Sequence, residues 1–160
     1  MSKDRRPLYG WDTSVFVAWL NEEQSAPLGD IALVANEVDQ DRAVLVVSVT
    51  VVSEVLECKM TDEQRTRFNG FLQRSNVILA DVTLPIAQKA RAIRDRGNAE
   101  GRKIKTPDAQ IIATAIIFRC HALHSLDNRG NGALRLNGSP IVDGLRITPP
   151  LPLSGQRGIT

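Results

Sequence analysis

The chain has 160 residues, 42% of them hydrophobic, enough for one compact domain with a substantial core. Aromatics make up only 4%, so that core must rest on Val, Ile, Leu and Ala; a net charge of +2 permits a polyanionic partner without demanding one. No apolar run reaches the length of a membrane span, none follows the charged N-terminus as in a signal peptide, and the two cysteines, Cys58 and Cys120, read as small apolar groups in a reducing compartment, so a cytoplasmic domain is expected.

In chain order, Pro7 to Trp11 reads as a first strand, and Asp12-Thr13-Ser14 ends it and starts a helix through Leu20. Leu28 to Val38 carries a helical apolar face at Ile31, Leu33, Val34, Ala35 and Val38. Ala43 to Val47 is continuously apolar and rich in β-branched residues, as in a strand buried on both faces of a parallel sheet. Val51 to Glu57 follows as a helix capped by Ser48 or Thr50. Thr61-Asp62-Glu63-Gln64 matches a capping box opening a helix through Leu72. Asn76 to Ala80 is a third strand, and Thr83 caps a helix from Leu84 to Arg96 with Gly97 at the stop position.

After a polar, basic loop, Thr106 is placed as an N-cap, Pro107 at the first helical position and Asp108 in the first turn. From Ala109 to Phe118 the run is apolar on nearly every face, which marks a helix buried on both sides. Ala122 to Leu126 is a short strand ending at Asp127, before the turn-rich Asn128 to Gly132. Ile141 to Asp143 and Leu145 to Thr148 form a last strand pair or one edge strand. Strands alternating with helices predict a three-layer α/β/α domain with a mainly parallel sheet, spanning residues 1–148, followed by a Pro/Gly-rich tail over 149–160.

The carboxylates fall into a pattern on this frame. Asp12 closes the first strand, Glu54 lies just after the second, Asp108 opens the buried helix and Asp127 closes its strand. Ligand sites in open parallel sheets gather outside the carboxyl ends of the strands. Four acids converging there could not all ionise unaided, since each raises the pKa of its neighbours, and a divalent cation resolves the conflict. All-oxygen donors favour Mg²⁺ or Mn²⁺, and such a site suits phosphoryl chemistry. Singly, Asp12 and Asp108 also serve as helix-terminus residues, Asp127 as a turn residue, and Glu57 rivals Glu54 on the same helix.

Asp12-Thr13-Ser14-Val15, the run Ser48 to Glu54, Asp108 to Ala115, and Ser125-Leu126-Asp127 occur in an order and spacing that resemble the PIN-domain ribonucleases, and within them the VapC-type toxins of bacterial toxin–antitoxin pairs. The resemblance covers about Leu8 to Asp127. It implies an Mg²⁺-dependent endoribonuclease (Mn²⁺ as the alternative ion), often a homodimer, held inactive by a cognate antitoxin. Asp12, Glu54, Asp108 and Asp127 would be its catalytic, metal-binding acids and Thr13 and Ser125 nearby hydroxyls. Two features depart from the family pattern: Ser125 replaces the usual Thr two residues before the last Asp, and Asn128-Arg129-Gly130 stands where an aromatic often follows. The implied reaction is in-line hydrolysis of RNA to a 5′-phosphate and a 3′-hydroxyl. Two alternatives keep the fold: a housekeeping RNA-processing nuclease and a non-catalytic binding module.

Other candidates carry less. His121 and His124 could form an acid–base pair, but lie close together where one side chain points inward and one outward. Gly130-Asn131-Gly132 lacks the lysine and helix of a phosphate-binding loop. Arg91, Arg94, Arg96, Arg102, Lys103 and Lys105 cluster before Asp108, as a solvated helix end or as a phosphate-binding rim. The apolar excess of Val15 to Leu20 and Ile111 to Phe118 is compatible with a homodimer.

Overall fold

The computed structural model describes residues 5–153. Five strands of the described residues form one sheet: β1 (Leu8–Trp11), β2 (Val44–Ser48), β3 (Val77–Ala80), β4 (Ala122–His124) and β5 (Ile147–Thr148). Every neighbouring pair is parallel, in the order β3-β2-β1-β4-β5. The expected α/β/α architecture is therefore the observed one. Among the described residues six α-helices supply the crossovers: α1 (Thr13–Leu20), α2 (Leu28–Asp39), α3 (Val49–Glu57), α4 (Asp62–Leu72), α5 (Leu84–Ala99) and α6 (Thr106–Ile117). The chain winds outward from β1 to β2 and β3, then returns to place β4 on the other side of β1. The ends of β1 and β4 thus flank the point where strand order reverses, which is where a doubly wound sheet leaves a crevice.

β1 shows how its alternation serves two layers. Trp11 faces Phe16 of α1 and Phe71 of α4, at ring separations of 5.1 and 5.6 Å. Gly10 faces the other way, where an added Cβ would lie 3.1 Å from Leu123 and 3.7 Å from Ala115 of α6, so its lack of a side chain lets α6 sit close to the sheet. Phe71 also touches Trp19 at 5.1 Å and is almost fully buried. Phe71→Ala is expected to cost about 3–5 kcal/mol, read as a lower midpoint in chemical denaturation at unchanged slope. Val15 to Leu20 and Ile111 to Ala115 are spent largely in this core. Their apolar excess therefore says nothing about a second copy; the exposed large apolar residues are Leu33, Leu56, Ile78, Leu79, Leu84 and Ile117.

The capping box at Thr61 and Gln64 is formed, Thr83 caps α5, and Ser48 rather than Thr50 caps α3. Elsewhere boundaries differ from the sequence expectation. α5 runs through Gly97 to Ala99, and the stop is Gly101 at φ +71°. Arg102 N donates to Gly97 O at 2.8 Å and Gly101 N to Asn98 O at 3.1 Å, a Schellman closure. Gly97 is glycine because a Cβ there would meet Arg102 O at 2.6 Å. In α6 the N-cap is Lys105, without a side-chain cap, so Thr106 and Pro107 are the first helical residues and Asp108 the third. β4 ends at His124, because Leu126 N and Asp127 N turn from the ladder to the hydroxyls of Ser14 and Ser125. Pro140–Val142 is a 3₁₀ turn rather than a strand, capped by Ser139 and closed by Asp143 at φ +55°, leaving β5 as the edge strand.

Leu153 N donates to Tyr9 Oη at 2.8 Å, which ties the start of the expected tail to β1. Residues 154–160 of that tail lie outside the described residues.

Candidate metal and nucleic-acid cleft

Asp12, Glu54, Asp108 and Asp127 line one cleft of about 440 Å³ at the carboxyl ends of the strands, with Thr13, Ser14, Val17, Glu23, Ile111, Leu126 and Arg129 completing its wall. Glu57, the rival on α3, is exposed and does not line it.

Asp12 follows β1 and N-caps α1, accepting from Val15 N at 3.3 Å and from the Ser14 hydroxyl. Ser14 Oγ in turn accepts from Leu126 N at 2.9 Å. Ser125, fully buried, hydrogen-bonds Asp12 and accepts from Asp127 N at 3.1 Å. These two serines knit the ends of β1 and β4 across the crevice and hold Asp12 and Asp127 in fixed relation. Asp127 needs room that only glycine gives: a Cβ at Gly132 would lie 2.5 Å from its Oδ1. Glu54 accepts from Thr13 Oγ1 at 2.6 Å, an α1–α3 link across the cleft. Thr50 Oγ1 donates to Gln110 Oε1 at 2.9 Å, which ties α3 to α6 one turn before Glu54 and two residues after Asp108. The Asp108 carboxylate takes no hydrogen bond from any described residue; the first turn of α6 holds it.

The electrostatics follow from crowding. Burial pushes the Asp12 carboxyl up to about 6, against the hydrogen bonds from Ser125, Ser14 and Val15, and Asp108 adds to the rise. Asp108 is also raised, first by burial and then by Glu54 and Asp127, with Lys105 opposing. Asp12 and Asp108 are thus held above their ordinary value partly by other acids of the set. Among the described residues no three acidic, histidine or cysteine side chains stand close enough to form a ready-made metal cage.

The remaining candidates fall away from the cleft. His124 is fully buried, its ring tilted by 30° against Tyr9 at 4.8 Å, with Nδ1 accepting from Trp11 Nε1 at 3.1 Å. Its Nε2 has no hydrogen-bond partner among the described residues, and burial, with Arg146 nearby, drives its pKa down to about 3. His121 is exposed at the opposite end of β4, where its Nδ1 accepts from Leu8 N at 3.0 Å, so the two histidines are no acid–base pair. Cys58 and Cys120 are both free thiols, and burial pushes Cys120 up to about 12.

Most of the basic cluster before Asp108 is engaged elsewhere. Arg91 pairs with Asp95, Arg94 holds Ile104 O at 3.1 Å, Arg96 pairs with Asp143, and Arg102 reaches Arg135 O at 3.4 Å. None of the six lines the cleft; among the described residues the cation that does is Arg129. Sequence reasoning missed Glu23 and Arg129 as cleft residues. Glu23 sits in the α1–α2 loop with no local signal, whereas Arg129 lay at the one place where the last motif departs from the family pattern.

The sequence profile of the PIN domain matches residues 11–131, a span holding all four acids. No curated protein matches the chain in sequence. Among solved structures, VapBC2 from Rickettsia felis, bound to a promoter DNA fragment, is similar with a TM-score of 0.64 and 17% identity, over 88% of this chain and 96% of that one. A toxin–antitoxin complex from Klebsiella pneumoniae gives 0.59 and 19% identity, over 91% and 98%. VapC20 from Mycobacterium tuberculosis, a toxin that cleaves the sarcin-ricin loop, gives 0.58 and 16% identity, over 76% and 91%. At these identities the structures speak for the fold alone. With the profile covering most of the chain, a five-stranded parallel sheet in the matching fold and an acid-lined cleft at its switch point, this chain belongs to the PIN-domain family.

Proposed function

We propose that this chain is an Mg²⁺-dependent endoribonuclease, Mn²⁺ serving as an alternative ion, and the toxin of a toxin–antitoxin pair. The observation that carries the reading is the meeting of Asp12, Glu54, Asp108 and Asp127, from four separate elements, in one cleft of a PIN-domain chain. Their donors are all hard carboxylate oxygens, and the raised pKa values of Asp12 and Asp108 mark a site where added positive charge is favourable. A divalent cation that keeps part of its water shell, as Mg²⁺ does, suits such a spread set better than a zinc cage would. When bound, the ion would supply an activated water and neutralise the oxygen that leaves phosphorus.

The chain's own contribution is placement. Ser14 and Ser125 orient Asp12 and Asp127, Thr13 orients Glu54, and the α6 N-terminus presents Asp108. Burial of Asp12 at the back of the cleft limits the screening of its charge by bulk water. An antitoxin partner is supported by the toxin–antitoxin complexes among the structural neighbours. A homodimer is part of the same reading.

The test is the chemistry of the cut ends. RNA incubated with the protein and Mg²⁺ should give 5′-phosphate and 3′-hydroxyl ends, and EDTA should stop the reaction. Ends bearing a 2′,3′-cyclic phosphate, or cleavage indifferent to EDTA, would overturn the proposal.

A further inference from the structure

Among the described residues, five carboxylates line the cleft and a single cation joins them, Arg129. An arginine among carboxylates ordinarily pairs with one of them. Among the described residues, however, the Arg129 guanidinium makes no hydrogen bond and no ion pair, although Asp127 is two residues away. The loop that carries it is firmly placed through its main chain. Arg129 N donates to Asp127 Oδ1 at 3.3 Å, and Gly132 N donates to Arg129 O at 2.7 Å. Arg135 Nε donates to Asn128 O at 2.7 Å, and Asn131 Nδ2 to Lys103 O at 3.2 Å. The loop therefore presents an exposed cation on the cleft wall while leaving its fork of donors to the cleft's occupant.

We infer that Arg129 binds a backbone phosphate of the RNA strand at the cleft mouth, next to the phosphodiester to be cut. The inference rests on the nuclease reading above and adds a substrate-binding residue to it. Five carboxylates repel a polyanion, and a bound cation would be engaged at the scissile group. The neighbouring phosphate needs its own counter-charge, and a guanidinium fork meets two non-bridging phosphate oxygens at once. The six basic residues before Asp108 do not substitute for it, since none lines the cleft.

The experiment compares wild type, Arg129→Gln and Arg129→Lys. Binding of a short fluorescent single-stranded RNA is followed by anisotropy in EDTA over a series of salt concentrations, with cleavage kinetics in Mg²⁺ alongside. Since the loop's bonds to Arg129 are main-chain, the variants should fold as wild type does. Arg129→Gln is expected to weaken binding roughly tenfold and to flatten the log–log salt dependence by about 0.7, the share of one phosphate on a single strand. Its KM should rise while kcat is largely kept. Arg129→Lys should keep the salt slope, which a merely structural role would not predict. Equal affinity and slope in wild type and Arg129→Gln would overturn the inference. If wild type in that case still cleaves RNA in Mg²⁺, the nuclease reading survives without it. If binding depends on Arg129 but no protein cleaves, the contact stands and the nuclease reading falls. Wild type without affinity for RNA overturns both.

Discussion

Asp108→Asn is expected to lower RNA cleavage by about 10²–10³-fold, and to remove most Mg²⁺ affinity in calorimetry, without unfolding the protein. Its carboxylate is the member of the set with no hydrogen bond from any described residue, so its charge holds no internal hydrogen bond and is attracted only through space by Lys105. Asn keeps an acceptor at the third position of α6, where the helix N-terminus favours one. It also relieves the repulsion from Glu54 and Asp127 that, after burial, raises the Asp108 pKa. The thermal midpoint in EDTA should therefore hold or rise while function falls, as expected where acids are held together for a ligand at the expense of stability. Growth arrest on expressing the chain without its antitoxin should vanish with the same substitution. Unchanged Mg²⁺ binding in a folded Asp108→Asn protein would show that these acids are helix-end and turn residues only.

Asp12→Asn is expected to stabilise the metal-free protein at neutral pH, by at most about 3 kcal/mol. That figure is the worth of moving a carboxyl from 3.8 to about 6. A group whose folded pKa lies above its unfolded value binds its proton first in the folded state. The stability that protonation gives is complete below 3.8 and is lost as pH rises through about 6. The advantage of Asn should accordingly be largest above pH 7 and shrink to nothing near pH 4. Asn can still cap α1 through Val15 N. His124 acts with the opposite sign. Its folded pKa of about 3 lies below 6.5, so the unfolded chain takes up the proton first and stability falls as pH drops from about 6.5 toward 3. In wild type the two effects oppose each other between about pH 4 and 6. The Asp12→Asn protein should therefore lose stability more steeply on acidification, measured by urea denaturation in EDTA across that range. Parallel profiles would mean that Asp12 carries no excess charge cost. Added Mg²⁺ at pH 7.5 should stabilise wild type and leave Asp12→Asn nearly unchanged.

Much of the fold, and the four acids of the candidate cleft, were legible in the residues. The alternation of β-branched runs with capped helical faces marks α/β architecture, because a strand buried on both faces has to be apolar throughout, as Val44 to Ser48 is buried throughout. Asp12, Glu54, Asp108 and Asp127 could be picked out because strand-end and helix-start positions fall on one edge of any parallel sheet. The boundaries that shifted are those where a long-range contact overrides a local signal. Gly97 has the residue type of a helix stop, yet it is glycine because Arg102 O packs against it. Ser125 and Leu126 have strand character, yet serine hydroxyls take the main-chain N–H groups that a longer strand would have placed in the ladder.

Only the tertiary structure decided which groups share the cleft and which charges are already spent. Glu54 and Glu57 are three residues apart on one helix, and Thr13 on α1 reaches the first, not the second. Six basic residues near Asp108 in sequence lie off the cleft wall, while Arg129, in a loop beyond β4, lies on it. Sequence carries the periodicities that build strands and helices, since those arise from neighbours a few residues apart. The identity of a side chain's partner depends on how distant segments close on one another, and that is settled only when the sheet order brings β4 beside β1.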